Sequence, residues 1–166
     1  MQNEKVIYPG TFDPVTAGHL DIIRRAAGIF PEVTIAVVNR SSKSMAFDTE
    51  TRIRLAEASV KEMGIQGEIS ICSFDGLLVD YMKENGYNLF IRGLRANSDF
   101  EFEFQMQLMN RRLAPDITGI YMMPSEHNMY LSSTVVKEVA MFGGCLDTLV
   151  APSVKRELED YYRRKK

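Results

Sequence analysis

The sequence contains no tryptophan, and only two cysteines and two histidines among its 166 residues. Cys72 and Cys145 are far apart and no Cys-x-x-Cys or Cys/His spacing joins them, so neither a zinc site nor a redox pair is indicated. Two reduced thiols fit a reducing compartment, and Met1 to Lys5 carry no apolar leader, so a cytoplasmic location is expected. The longest apolar runs are about six residues, too short for a membrane span. There is no surplus of positive charge either. Lys and Arg number 20 against 22 Asp and Glu, a formal net charge of −2. That balance argues against nucleic acid as a partner, because phosphate neutralisation needs excess cations. Repeats, low-complexity tracts and Pro/Gly/Ser linkers are missing too. With 45% apolar and 25% charged residues, one globular domain over residues 1–166 is expected.

What is present is alternation. Lys5–Tyr8, Val33–Val38, Glu68–Phe74, Leu89–Arg92 and Gly119–Met123 read as strands, and the β-branched run Val33–Val38 reads as one buried on both faces. Between and after them, Gly18–Phe30, Thr49–Met63, Gly76–Asn85, Asp99–Leu113, Ser133–Phe142 and Ser153–Arg164 read as helices. Asp48 or Thr49 is a candidate cap for the second helix, and Gly86 a candidate end for the third. Five strands separated by helices predict an α/β fold: a Rossmann-like, doubly wound, five-stranded parallel sheet with helices on both faces. In such sheets ligands bind beyond the carboxyl ends of the strands.

The unusual residues cluster at those ends. After the first strand comes Pro9-Gly-Thr-Phe-Asp-Pro14, then Thr16-Ala-Gly-His19. Neither the dinucleotide fingerprint nor a Walker A loop is present. The parts of a phosphate site are: Gly10 and Gly18 permit close backbone approach, Thr11 offers a hydroxyl, and His19 opens a helix whose amides favour anions. By composition alone, an ordinary strand-to-helix loop capped by Thr16 fits equally. After the fourth strand, Arg92-Gly-Leu-Arg95 sets two guanidinium forks where phosphate oxygens could be held, and a solvated turn is the alternative. After the fifth, Ser132-Ser-Thr134 opens a helix, as plain caps or as a phosphate cradle. Phe100, Phe104 and Leu108 share one helical face, expected to be core or subunit contact.

Gly-Thr-Phe-Asp-Pro joined to Thr-x-Gly-His resembles the nucleotidyltransferase superfamily with the (H/T)-x-G-H motif. Ile91-Arg-Gly-Leu-Arg95, Asp99-Phe-Glu-Phe-Glu103, Met109-Asn-Arg111, Met123-Pro-Ser125, Ser132-Ser133 and Val136-Lys-Glu-Val139 narrow the likeness. Together they resemble the bacterial phosphopantetheine adenylyltransferase family from about Val6 to Phe142. The resemblance implies transfer of the adenylyl group of ATP to 4′-phosphopantetheine, giving dephospho-coenzyme A and pyrophosphate. It implies Mg²⁺ accompanying ATP, feedback by coenzyme A, and a homohexamer. His19 would stabilise the transition state at the α-phosphate. Thr11, Lys43, Leu78 and Arg92 would hold the acceptor. Thr11, Phe12, His19, Gly93, Leu94, Arg95, Glu103 and the run Asn128, Met129, Tyr130, Leu131, Ser132, Ser133 and Thr134 would hold ATP.

The chain departs from the family pattern at Ala17, often Asn; at Ser44-Met45, where Pro is common; at Phe102, often Tyr; at Asn128, often Trp; and at Thr134, often Ser. None of these removes a charged group or His19. Two other readings share the motifs: a mononucleotide adenylyltransferase or cytidylyltransferase with another acceptor, and a non-catalytic nucleotide-binding module.

Overall fold

A computed structural model describes residues 5–39, 45–95 and 97–165. Five strands, β1 (Val6–Gly10), β2 (Glu32–Val38), β3 (Glu68–Phe74), β4 (Leu89–Gly93) and β5 (Thr118–Met122), form one sheet in the order β3-β2-β1-β4-β5. Every pairing is parallel. Helices α1 (Ala17–Ala27), α2 (Thr49–Glu62), α3 (Leu78–Glu84), α4 (Asn97–Leu113), α5 (Ser133–Met141) and α6 (Pro152–Arg163) complete the chain, with a 3-10 turn at Glu126–Asn128. This is the expected Rossmann-like doubly wound sheet.

Strand alternation builds the two layers. Val6 and Tyr8 face one apolar core with Leu20 and Ile23 of α1, Leu55 of α2, Val136 of α5 and Leu158 of α6. Ile7 faces the other, with Val79 and Met82 of α3 and with Phe90, Ala114 and Ile117. Helices therefore cover both faces. Five consecutive residues of β2, Val33–Val37, are buried, as its unbroken apolar run predicts. Asp48 caps α2 by accepting from the Thr51 amide at 2.8 Å, and Gly86, at φ 69, follows the end of α3 in the left-handed region.

Some boundaries differ from expectation. Helix α1 ends at Ala27, where Gly28 caps it, although Phe30 still reaches the core. Helix α3 begins at Leu78, because Gly76 at φ 81 lies outside helical backbone. Strand β1 runs on to Gly10 through Pro9. A proline in the central strand is possible because β1 pairs with β4 only at Val6 and Ile7, so Pro9 has no bond to donate on that side. Past Ile7 the two strands part. This is the point where the strand order reverses, and it opens a crevice at the carboxyl ends of the strands.

Candidate functional site

The loop leaving β1 forms the floor of the crevice. A Cβ on Gly10 would lie 2.9 Å from the Phe12 ring, so glycine is required there. Phe12 has φ 47, in the left-handed region that a bulky residue enters only when its surroundings enforce it. The Phe12 ring is buried edge-on against Tyr8, at a centroid separation of 5.4 Å, and against His19 at 5.1 Å. Polar contacts hold the loop from outside. Arg52 of α2, wholly buried, donates from Nη1 to the carbonyls of Thr11 (2.7 Å) and Val38 (2.9 Å) and from Nη2 to Thr49 Oγ1 (2.8 Å). Asp13 accepts from the amides of Ala46 and Phe47, each at 2.9 Å, and from Lys137 Nζ at 2.7 Å. Ser133 Oγ donates to the Pro14 carbonyl at 2.8 Å.

Thr16 caps α1, and His19 closes a capping box with it. The box has a chemical consequence. The Thr16 backbone amide donates to His19 Nδ1 at 3.0 Å. An amide nitrogen only donates, so Nδ1 is unprotonated and the proton of the neutral ring sits on Nε2. Burial, reinforced by the nearby charges of Arg95 and Arg92, pushes the His19 pKa down to about 4. The ring keeps a partly exposed edge at the cavity that it lines. At neutral pH it is a neutral side chain with one N–H to give.

Arg92, from the end of β4, is clamped. Its Nε lies 3.0 Å from both carboxylate oxygens of Glu103, Nη2 is 2.5 Å from Oε1, and Nη1 donates to the Pro9 carbonyl at 2.9 Å. Burial disfavours its charge, but the Glu103 carboxylate more than compensates and holds the guanidinium above its ordinary pKa. One N–H on each terminal nitrogen remains for a ligand. Arg95 Nη1 donates to the Leu131 carbonyl at 2.8 Å, tying the loop after β4 to the start of α5. Ser132 caps α5 by accepting from the Val135 amide at 3.1 Å.

These groups surround one cavity of about 610 Å³. Of the residues expected to act, Thr11, Phe12, His19, Leu78, Arg92, Gly93, Arg95, Glu103, Leu131, Ser132, Ser133 and Thr134 line it. Lys43 lies outside the described residues. Four others do not line the cavity. The Leu94 amide extends the sheet by donating to the Met122 carbonyl at 3.0 Å. Asn128 ends the 3-10 turn and donates to Ser125 Oγ at 2.9 Å, while Met129 and Tyr130 are 43% and 67% exposed. Glu103, expected at the nucleotide, has its carboxylate committed to Arg92. Phe100, Phe104 and Leu108, placed by periodicity in core or subunit contact, are exposed on α4.

Sequence reasoning missed Arg52, Asp13 and Lys137. A helix-interior arginine and a lysine within Val-Lys-Glu-Val carry no local sign that they reach a loop many residues away. Asp13 stood inside the recognised motif, and its position between Phe12 and Pro14 was the available clue.

The arrangement can bind a polyanion. Two arginines, the α5 amides and hydroxyls, and a neutral imidazole N–H converge, and among the described residues the lining carboxylates, Asp13 and Glu103, are already neutralised. With Asp13 and Glu103 so engaged, a magnesium ion here would rest mainly on phosphate and water oxygens, its usual preference. Leu77, Leu78, Phe74 and Phe90 give the cavity an apolar wall able to take an uncharged arm. Among the described residues no helix is long and apolar enough to cross a membrane.

Comparison with known proteins gives a consistent result. The cytidylyltransferase-like family model matches residues 7–139. A phosphopantetheine adenylyltransferase of Legionella pneumophila (strain Paris) is 47% identical over 156 residues, covering 94% of this chain and 91% of that one. One from Clostridium tetani is 47% identical over 152 residues, covering 92% and 93%. Among solved structures, the Plasmodium falciparum nicotinic acid mononucleotide adenylyltransferase complexed with NaAD superposes with a TM-score of 0.70. It covers 99% of this chain and 96% of that one, at 14% identity, a likeness of fold alone.

Proposed function

This chain belongs to the cytidylyltransferase-like family and, within it, to the phosphopantetheine adenylyltransferases, and from that membership we propose how its own residues carry the reaction. The enzyme transfers the adenylyl group of ATP to 4′-phosphopantetheine, forming dephospho-coenzyme A and pyrophosphate on the way to coenzyme A. The observation that carries the mechanism is the neutral His19, its Nδ1 filled by the Thr16 amide, in a cavity that also holds Arg92 and Arg95.

The acceptor phosphate is already an anionic nucleophile, so no general base is needed. One of its oxygens attacks the α-phosphorus of ATP in line. The bond from that phosphorus to the bridging oxygen breaks, and pyrophosphate leaves with the electron pair. His19 donates its Nε2–H to an α-phosphate oxygen as charge shifts through the transition state. Arg92 offers its two remaining N–H groups to the acceptor phosphate, with Glu103 fixing the plane of the guanidinium. Lys43 is proposed as a second acceptor-phosphate contact and Leu78 as part of the wall along the pantetheine arm. Thr11, Phe12, Gly93, Arg95 and the Leu131–Thr134 segment hold ATP, with Arg95, Ser133 and Thr134 on the departing pyrophosphate. Mg²⁺ enters with ATP as part of the substrate and screens the triphosphate charge. Further proposals are a cytoplasmic homohexamer, supported by the exposed apolar face of α4, and feedback by coenzyme A, which shares both halves of the product.

The test is pyrophosphate release from Mg·ATP with 4′-phosphopantetheine, with nicotinamide mononucleotide, and with neither. Release with 4′-phosphopantetheine alone, and dephospho-coenzyme A by mass, is expected. Release with the mononucleotide instead overturns the acceptor, and ATP binding without release overturns catalysis.

A further inference from the structure

The Val136-Lys-Glu-Val139 segment has no part in the mechanism above, yet Lys137 reaches into the site. Its Nζ lies 2.7 Å from Asp13 Oδ2, with side-chain exposures of 22% and 4%. Asp13 needs explaining. It is a buried carboxylate within a loop that must receive a triphosphate, where a negative charge repels the ligand. Its geometry gives the reason for its presence. A carboxylate on a short stem can accept several bonds at once, and Asp13 uses both oxygens to hold the amides of Ala46 and Phe47. Those amides precede α2, whose Arg52 grips the carbonyl of Thr11 in the same loop. From the other side, Ser133 of α5 grips Pro14. The loop is thus fastened to two helices, and the cost of the fastening is a buried negative charge beside the polyanion site. Lys137, one turn along α5 from Ser133, stands where that charge is cancelled.

We propose that Asp13 and Lys137 form a positioning pair. Asp13 locks the phosphate loop to the start of α2, and Lys137 neutralises Asp13 so that the locked loop accepts a triphosphate. The inference rests on the nucleotide-binding role assigned to the cavity in the preceding subsection. On this account neither residue contacts substrate, and the two act as one unit. Lys137 also lines the cavity, so the competing role is a direct phosphate ligand that acts independently of Asp13.

A double-mutant cycle separates the two roles. Lys137→Met, Asp13→Asn, the double variant and Lys137→Arg are made in the full chain, and circular dichroism and unfolding midpoint are compared with the parent. Turnover with Mg·ATP and 4′-phosphopantetheine is read as kcat and KM, and Mg·ATP affinity by calorimetry. A positioning pair predicts that each single variant loses about tenfold in kcat/KM and that the double variant also loses about tenfold, not about a hundredfold. Lys137→Arg, which keeps the charge, stays within about threefold of the parent. Additive losses in the double variant overturn the proposal in favour of a direct ligand, and single variants that match the parent overturn it outright. Lys137→Gln repeats the cycle if Lys137→Met does not fold. A parent that binds Mg·ATP but makes no product refutes the proposed function alone, and the coupling is then read from the affinities.

Discussion

Helices α4 and α5 flank the same cavity but are built differently. Helix α5 is locked to the loop beneath it by Ser133 and Lys137, and Arg95 fastens its approach through Leu131. Its inward residues Val136 and Ala140 are buried in the main core. Helix α4 reaches the site through Glu103, which clamps Arg92, while Phe100, Phe104, Leu108 and Met109 are each more than half exposed. Phe100 and Phe104 stack on each other at 5.9 Å, with an apolar surface still outward. The proposed nucleotide side of the site is therefore organised within one chain. The proposed acceptor side hangs on a buried ion pair carried by a helix whose apolar face the described residues leave exposed. Preorganised donors are what stabilise a transition state, and an uncovered apolar helix is what an assembly needs.

The largest effect expected from this contrast lies on the organised side. Replacing His19 by Ala should lower kcat by about 10²–10³ and change the KM for ATP by less than about threefold. A raised KM with unchanged kcat would show that His19 binds ATP without acting on the transition state. On the hanging side, Glu103→Gln keeps the shape of the side chain but loses the charge clamping Arg92. The KM for 4′-phosphopantetheine should rise by about tenfold while that for ATP moves little. An equal rise for both substrates would mean that Glu103 serves the nucleotide, as the family resemblance implied. The exposed face of α4 is tested by Phe100→Ser with Leu108→Ser. Sedimentation should show a smaller particle than the parent, and an unchanged mass would mean that this face is not the contact.

The smallest effect concerns pH. The folded protein holds His19 neutral, with a pKa of about 4 against 6.5 for the ordinary group. As pH falls below about 6.5 the unfolded chain takes up a proton that the folded one refuses, so this contribution to stability declines until about pH 4 and is constant below. Unfolding midpoints measured from pH 7 to 4 should fall less steeply for His19→Gln than for the parent. Parallel curves would mean that the ring titrates normally and that its Nδ1 is not held by Thr16.

Much of this molecule was legible in the chain itself. The β-branched run of β2 and the Gly-Thr-Phe-Asp-Pro and Thr-x-Gly-His segments each announce themselves over a few residues, because strand period, turn chemistry and helix caps are local. Of the twelve expected residues that line the cavity, Thr11, Phe12 and His19 lie in such segments, and others, Leu78 and Glu103 among them, came only from the family resemblance. Two placements were not local. Whether Tyr130 faces the cavity depends on a 3-10 turn at Glu126–Asn128 that no periodicity marks, and the partner of Glu103 depends on which strand lies under α4.

The sequence alone determined the order of strands and helices along the chain, the parallel sheet, and the gathering of the proposed phosphate-binding residues at its carboxyl edge. These follow from apolar spacing, glycine placement and the rule that parallel crossovers put loops at one end. Only the tertiary structure decided which charges neutralise one another, Arg92 with Glu103 and Lys137 with Asp13, and which tautomer His19 adopts. The two ion pairs depend on distances of about 3 Å between residues from separate elements, and the tautomer on a bond of 3.0 Å that the folded helix cap sets between Thr16 and His19. Hydrogen bonds and buried charges are settled at that range, and local sequence pattern does not encode it.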